Sequence, residues 1–156
     1  MIDPGVDSPS TAWLPVQGLP EGVRAVEHTA DTGIDVEASS LEECFGRAAA
    51  GMFACFTRGG EGGERVLDVE VRADGLDELL VAWLDELLFQ AEVGNLLLLG
   101  FEVIEVGRTR LRARVAARAL RQDDAATGSA VKAVTRHDLA VGRVGDRWRA
   151  RVIFDV

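Results

Sequence analysis

The sequence is poor in the features that mark whole classes of protein. Two cysteines, Cys44 and Cys55, occur among 156 residues. They fall in one stretch of helical periodicity, about 16 Å apart along its axis at ~1.5 Å per residue. That excludes a bridge between them. No C-x-x-C pair exists, which removes the usual zinc spacing. Both cysteines lie on the apolar face, so buried free thiols in a reducing, cytoplasmic setting are expected. No basic-then-apolar leader opens the chain, which points away from a secretory signal. The leucine run at residues 96–99 is far too short to span a bilayer.

Catalytic signatures are equally scarce. The chain has no H-x-x-x-H, no Rossmann glycine pattern and no kinase set. Residues 58–64 are glycine-rich but lack the Lys-Ser/Thr pair and following helix of a phosphate cradle, so they read as a turn. Ser39-Ser40 is better used at a helix cap. His28 and His137 have no evident nucleophile beside them, and for either one alone a structural or solvent-facing role is the simpler reading. Positive charge is also short: 17 basic residues stand against 26 acidic ones, a net charge of −9. That balance argues against direct, non-specific nucleic-acid binding. It suits a basic protein surface as partner, although solubility alone accounts for it equally well.

What remains describes one folded domain. Apolar residues make up 47% of the chain, enough for a core. All four prolines fall within the first 20 residues, so residues 1–22 read as an irregular tail and 23–156 as the domain. Trp13 either packs on that domain or is an exposed anchor. Residues 23–27 and 33–38 read as strands, with His28-Thr29-Ala30-Asp31 between them. Ser40 and Glu43 have capping-box spacing ahead of a helix whose apolar stripe runs through Leu41, Cys44, Phe45, Ala48 and Met52. Residues 67–71 alternate as a half-buried strand. Asp74 is placed to cap a second helix over residues 76–92, with Gly94 as its stop. Residues 101–106 form a strand, and Arg110, Arg112 and Arg114 alternate along the next. That basic row more simply balances acids on a neighbouring strand than reads phosphate. Residues 131–135 form another strand, and 139–144 with 147–154 a hairpin about Gly145-Asp146. Two amphipathic helices and about seven strands predict an α+β, two-layer domain: a mixed or antiparallel sheet packed against both helices.

The best local candidate for chemistry is a hard-cation site. Asp31, Asp155 and the carboxylate of Val156 are oxygen donors, suited to Ca²⁺, Mg²⁺ or Mn²⁺ rather than zinc. Clustered carboxylates repel one another unless a cation sits between them. The alternative, two unrelated surface aspartates, stays open on the sequence alone. Asp85 and Glu86 are adjacent on the second helix and point about 100° apart, which makes them a poor acid–base pair. A solvated face is their simpler reading, with partner or metal contact as the sharper one.

Three blocks carry a family resemblance. HTADTGIDVEASSLEECFGRAAAGMF, VKAVTRHDL and the terminal RVIFDV, with WLDELLF between, resemble the archease family over residues 23–156. The resemblance implies a small acidic α+β protein that assists an RtcB-type RNA ligase. It would promote guanylylation of the ligase histidine and sustain turnover in tRNA splicing and RNA repair, without catalysis of its own. It also implies a divalent-metal site at Asp31, Asp155 and Val156, where valine replaces the usual isoleucine but keeps the main-chain carboxylate. His28 of the same motif, Asp85, Glu86 and Lys132 are further implied partner or functional positions. An older idea for the family is chaperoning of a tRNA methyltransferase, and a metal-dependent hydrolase using the same carboxylates is the remaining alternative. The chain departs from the family at Val23-Arg24-Ala25-Val26, where aromatics are usual, and at Arg136, where tyrosine is common. Neither departure touches the implied metal ligands.

Overall fold

A computed structural model of the chain describes residues 13–16, 18–27, 32–55, 63–122, 124 and 131–156. Its elements are β1 (Leu14–Pro15), β2 (Val23–Glu27), β3 (Thr32–Ala38), α1 (Leu41–Ala54), β4 (Arg65–Arg72), α2 (Leu76–Gly94), β5 (Leu96–Val106), β6 (Arg110–Ala119), β7 (Ala133–Val134), β8 (Ala140–Val144) and β9 (Arg147–Asp155). The α+β class is the one the sequence predicts. The strands, however, divide into two antiparallel sheets: one ordered β1-β5-β6-β4, the other β2-β3-β9-β7 with β8 also on β9.

Both helices touch both sheets. Helix α1 packs on β5 and β3, and α2 packs on β4 and β5 on one side and on β7 and β8 on the other. This explains why α1 is buried almost all round, from Cys44 to Phe53, and not along one stripe only. Small residues make that placement possible. A Cβ on Gly46 would stand 2.9 Å from Leu14 Cδ1, and one on Gly51 2.9 Å from Val23 Cγ1. The middle of the core is aromatic. Phe53 stacks on Phe101 at 5.7 Å, Trp83 meets the same ring edge-on at 6.3 Å, and the Trp83 indole N–H donates to the Phe45 carbonyl at 3.0 Å. The bond satisfies a buried donor that would otherwise cost about 1–3 kcal/mol.

Helix ends follow local chemistry, with three corrections. Ser40 Oγ accepts from the Glu43 N–H at 3.1 Å, as the capping spacing predicts, but Glu43 reaches back to Ser39 N–H (2.8 Å) and not to Ser40. That bond, with the Ser39 hydroxyl, holds the Glu43 carboxyl below its usual range. Asp74 does not cap α2. The position falls to Gly75 at φ 97°, a conformation glycine adopts freely, with no side-chain cap. Nor does Gly94 end that helix: Asn95 takes the left-handed turn at φ 52°, and its N–H closes on the Ala91 carbonyl. Chain reversal there is immediate, so residues 96–99 open the long strand β5.

The expected tail is not wholly irregular. Leu14 and Pro15 pair with Phe101 and Gly100, and Val16 N–H donates to the Leu99 carbonyl at 3.1 Å. Val16 is buried, and Trp13 lies under the Arg114 guanidinium, 5.6 Å from ring centroid to cation. Apolar burial and a free edge on β5 recruit this stretch despite its proline, which sits on an edge strand where its missing N–H does no harm.

Candidate functional site

The second sheet brings the chain's two informative ends together. Thr32, the residue after Asp31, pairs with Phe154, the residue before Asp155. Thr32 also pairs with Glu27, the residue before His28. Gly33 permits this close approach: a Cβ there would lie 2.5 Å from the Val152 carbonyl and 2.7 Å from Ile153 Cδ1. His28 and Asp31 themselves lie outside the described residues.

The end of β9 is firmly held. Ile153 and Phe154 are fully buried, and Val156 packs against the core. Lys132 N–H donates to the Asp155 carbonyl at 2.7 Å, and Thr135 donates both its N–H (3.0 Å) and its hydroxyl (2.9 Å) to the Ile153 carbonyl. The strand is therefore anchored through the main chain as far as Asp155, and Val156 is held by its packing. The Asp155 and Lys132 side chains stay exposed. The Asp155 carboxylate has no hydrogen bond or ion pair among the described residues.

Helix α2 runs beside this end. Asp77 accepts the Val141 N–H at 3.1 Å, and Glu78 takes both arms of Arg136 at 2.7 and 2.8 Å. These bonds fix α2 against β7 and β8. Arg136 thus has a local role as a clamp. Two turns along the helix, Asp85 faces the main chain of Val134. Burial pushes its carboxyl above the usual range, against the opposing pull of Arg136 and the Val134 N–H. Val134 pairs with Phe154, so Asp85 belongs to the same end of the molecule as Asp155. Glu86 is half-buried and accepts from the Gln90 amide at 2.7 Å. The two carboxylates diverge, and do not form an acid–base pair.

Among the described residues, no three His, Cys, Asp or Glu side chains form a metal-ligand group. The expected set draws on Asp31, which lies outside them, and on a main-chain carboxylate. Cys44 offers no thiolate, since burial pushes it up to about 12, and burial also raises Cys55. Both thiols are free, with Cys44 buried and Cys55 only half-buried just past the end of α1. His137 sits 3.5 Å from Asp138 on an exposed turn.

The arginine row of β6 is matched by acids. Arg110 lies 2.9 Å from Glu70, Arg114 3.4 Å from Glu102, and Arg112 3.7 Å from Glu105. On the outer face of the other sheet, Arg151 and Arg24 close on Asp35 and Arg149 on Glu37, lining a shallow hollow that includes no residue of the β9 end. No helix among the described residues is long and apolar enough to cross a membrane.

Comparison with known proteins places this arrangement. The profile of the Archease protein family (MTH1598/TM1083) matches residues 24–156. The chain is 33% identical to the protein archease of Pyrococcus furiosus, over 83% of this chain and 95% of that one. It is 30% identical to the protein archease of Methanosarcina acetivorans, over 92% of this chain and all of that one. Among solved structures, it superposes on the solution structure of Methanobacterium thermoautotrophicum protein 1598 with a TM-score of 0.68 and 27% identity, covering 86% of this chain and 99% of that one. A crystal structure from Thermotoga maritima, described as an archease and possible chaperone, shares the fold at TM-score 0.62 and 19% identity, over 85% and 96% of the two chains. With the family profile covering residues 24–156 and relatives of 30% and 33% identity matched along most of both chains, the chain belongs to the archease family.

Proposed function

We propose that this protein is an accessory factor of an RtcB-type RNA ligase, acting in the cytoplasm and without catalysis of its own. It would promote guanylylation of the ligase histidine and sustain turnover in tRNA splicing and RNA repair. A divalent cation, Ca²⁺, Mg²⁺ or Mn²⁺, would be held by Asp31, Asp155 and the Val156 carboxylate. The observation that carries this reading is the pairing of Thr32 with Phe154. Consecutive Cα atoms are about 3.8 Å apart and paired ones about 5 Å, so chain connectivity lets Asp31 and Asp155 share one ion. The donors are all oxygen, which fits a hard cation. Asp155 is exposed, and no described cation neutralises it.

A bound divalent ion neutralises charge on phosphate oxygens. The protein's own residues hold and present the site. The main-chain bonds from Lys132 and Thr135 fix the end of β9, and burial of Phe154 prevents it from fraying. Lys132, just before β7 and bonded through its N–H to the Asp155 carbonyl, adds an exposed ammonium suited to an anionic group at the contact. Asp85 supplies a further carboxylate at the same end.

The test has two readouts. Calorimetric titration with Ca²⁺ and Mn²⁺ should give heat with the wild type and none with Asp31→Ala. Ligase–GMP formation should accelerate on adding wild type but not Asp31→Ala. Equal ligase–GMP rates with and without the wild type would overturn the ligase reading. A pull-down that recovers a tRNA methyltransferase and no ligase would favour the chaperone reading, which the description of the Thermotoga maritima protein supports. Hydrolysis by the purified protein alone would favour the enzyme reading.

A further inference from the structure

The solvent side of α2 carries two large apolar residues that the fold does not use. Leu80, Trp83, Leu84 and Leu87 of this helix are fully buried, yet Phe89 is 56% exposed and Val93 67%. At 3.6 residues per turn these two are one turn apart on one face, and Asp85 and Glu92 fall on the same arc. Leu120, 43% exposed, stands at the same end: its N–H donates to the Asn95 carbonyl at 2.9 Å. Single exposed apolar residues are ordinary. An adjacent pair inside a wholly acidic helix is less so. Helix α2 has no lysine, arginine or histidine, and five acids: Asp77, Glu78, Asp85, Glu86 and Glu92. Asp77 and Glu78 are used internally, on Val141 and Arg136. Glu92 lies in the last turn, where the helix dipole favours a cation, and no basic residue answers it there.

We propose that this face, Phe89 and Val93 framed by Asp85, Glu86 and Glu92, is the docking surface for a basic partner protein. The partner would offer an apolar pocket flanked by lysine or arginine. Charge selects it over the other occupants. A second copy would set one acidic helix against another, and the chain's own residues 1–12 hold two acids and no base. The face continues into the end that holds Asp155, because Asp85 belongs to both. Docking here would therefore bring the candidate cation site to the partner. The partner's identity rests on the ligase reading above; the chemistry of the surface does not.

Two arms test it. In the first, a fluorescent Lys/Leu amphipathic helical peptide and a Glu/Leu peptide of the same pattern are titrated with wild type and with the Phe89→Ser/Val93→Ser double variant. The basic peptide should bind wild type, lose about tenfold or more in affinity with the variant, and weaken with added salt; the acidic peptide should not bind. Equal affinity for variant and wild type would overturn the surface, as would a wild-type dimer that the variant dissolves in sedimentation. In the second arm the RNA ligase replaces the peptide. The variant should raise its Kd about tenfold or more while saturating protein restores full ligase–GMP formation. Failure of wild type to bind the ligase, with the peptide arm intact, would remove the ligase and leave the surface.

Discussion

On the outer face of the β1-β5-β6-β4 sheet, Arg110, Arg112 and Arg114 each stand beside a carboxylate of a neighbouring strand. Near its end, the buried Arg118 takes both oxygens of Asp124 at 2.7 and 2.8 Å and holds that carboxyl down to about 2. At the end of the other sheet, the Asp155 side chain has no such counter-charge among the described residues. The first region is rich in charge and electrostatically closed. The second is sparser and open, and it carries Asp155 at the end of β9. A count of charges along the sequence would have ranked them the other way. What separates them is whether cross-strand register supplies a partner, and that depends on pairing between residues far apart in the chain.

The largest effect expected of this difference is at Asp155. Asp155→Asn removes one charge at an exposed position and keeps the main-chain bond from Lys132. Divalent-cation affinity, read by calorimetry, should fall about a hundredfold or more, because the proposed site loses one of its ligands. Stimulation of ligase–GMP formation should fall with it, and the urea midpoint should stay put. The same change at Glu105 on the closed face should leave cation binding and stimulation alone. If Glu105→Gln matched Asp155→Asn, the contrast between the regions would collapse.

Gly33→Ala comes next and acts through geometry. The added methyl meets the Val152 carbonyl and Ile153, and the former is backbone that cannot turn aside. Urea denaturation should show a loss of about 1–3 kcal/mol. Cation affinity should weaken as well, since β9 must shift at the end that carries Asp155. An unchanged midpoint would mean that the β3–β9 spacing is looser than the register implies.

These residues also show what the sequence made legible. The 3.6-residue period exposed both helices, Gly145-Asp146 marked the β8–β9 hairpin, and the alternation of Arg110, Arg112 and Arg114 foretold an acidic neighbour. The division into two sheets was not legible. It rests on β3 meeting β9 across more than a hundred residues, and on α1 being apolar enough to lie between two layers. β1 was hidden because its pairing is two residues long and includes a proline. The start of β5 was hidden because four leucines in a row carry no period. Of the site, the motifs at residues 28–31 and 152–156 were visible at once. The exposure of Phe89 was not, although a helical projection that asked which large apolar residues fall off the buried arc would have singled it out.

Two aspartates sharpen the comparison through opposite pH behaviour. Hydrogen bonds from Arg151 hold the Asp35 carboxyl below its usual range. Its stabilising contribution is therefore full above the unfolded value of about 3.9 and disappears as pH falls through the lower folded value. Asp35→Asn should destabilise at pH 7, with the gap to wild type closing in acid. Asp85 is raised by burial, so its ionised form costs stability above the raised folded value, and that cost vanishes as pH falls towards about 3.9. Asp85→Asn should raise the thermal midpoint slightly at pH 7, have no effect in acid, and weaken binding of the basic probe peptide. A gain in stability with a loss in binding is the signature of a residue kept for contact. A loss of stability at pH 7 would make Asp85 structural instead.

The smallest effect belongs to Arg110. Its guanidinium bonds Glu70 at 2.9 Å and stands 3.8 Å from Glu105, and both partners are well exposed. Exposed pairs gain little, since water screens them and two long side chains must be held still. Arg72 also lies 3.0 Å from Glu70, so the carboxylate keeps a partner when Arg110 is cut back to alanine. The thermal midpoint of Arg110→Ala should therefore fall within the scatter of repeat wild-type curves, at low salt and high salt alike. The surface becomes one unit more acidic, and the ligase on-rate should not fall. A marked drop in that rate would show that the closed face also touches the partner, and the distinction between paired and unpaired charge would then no longer separate scaffold from contact surface.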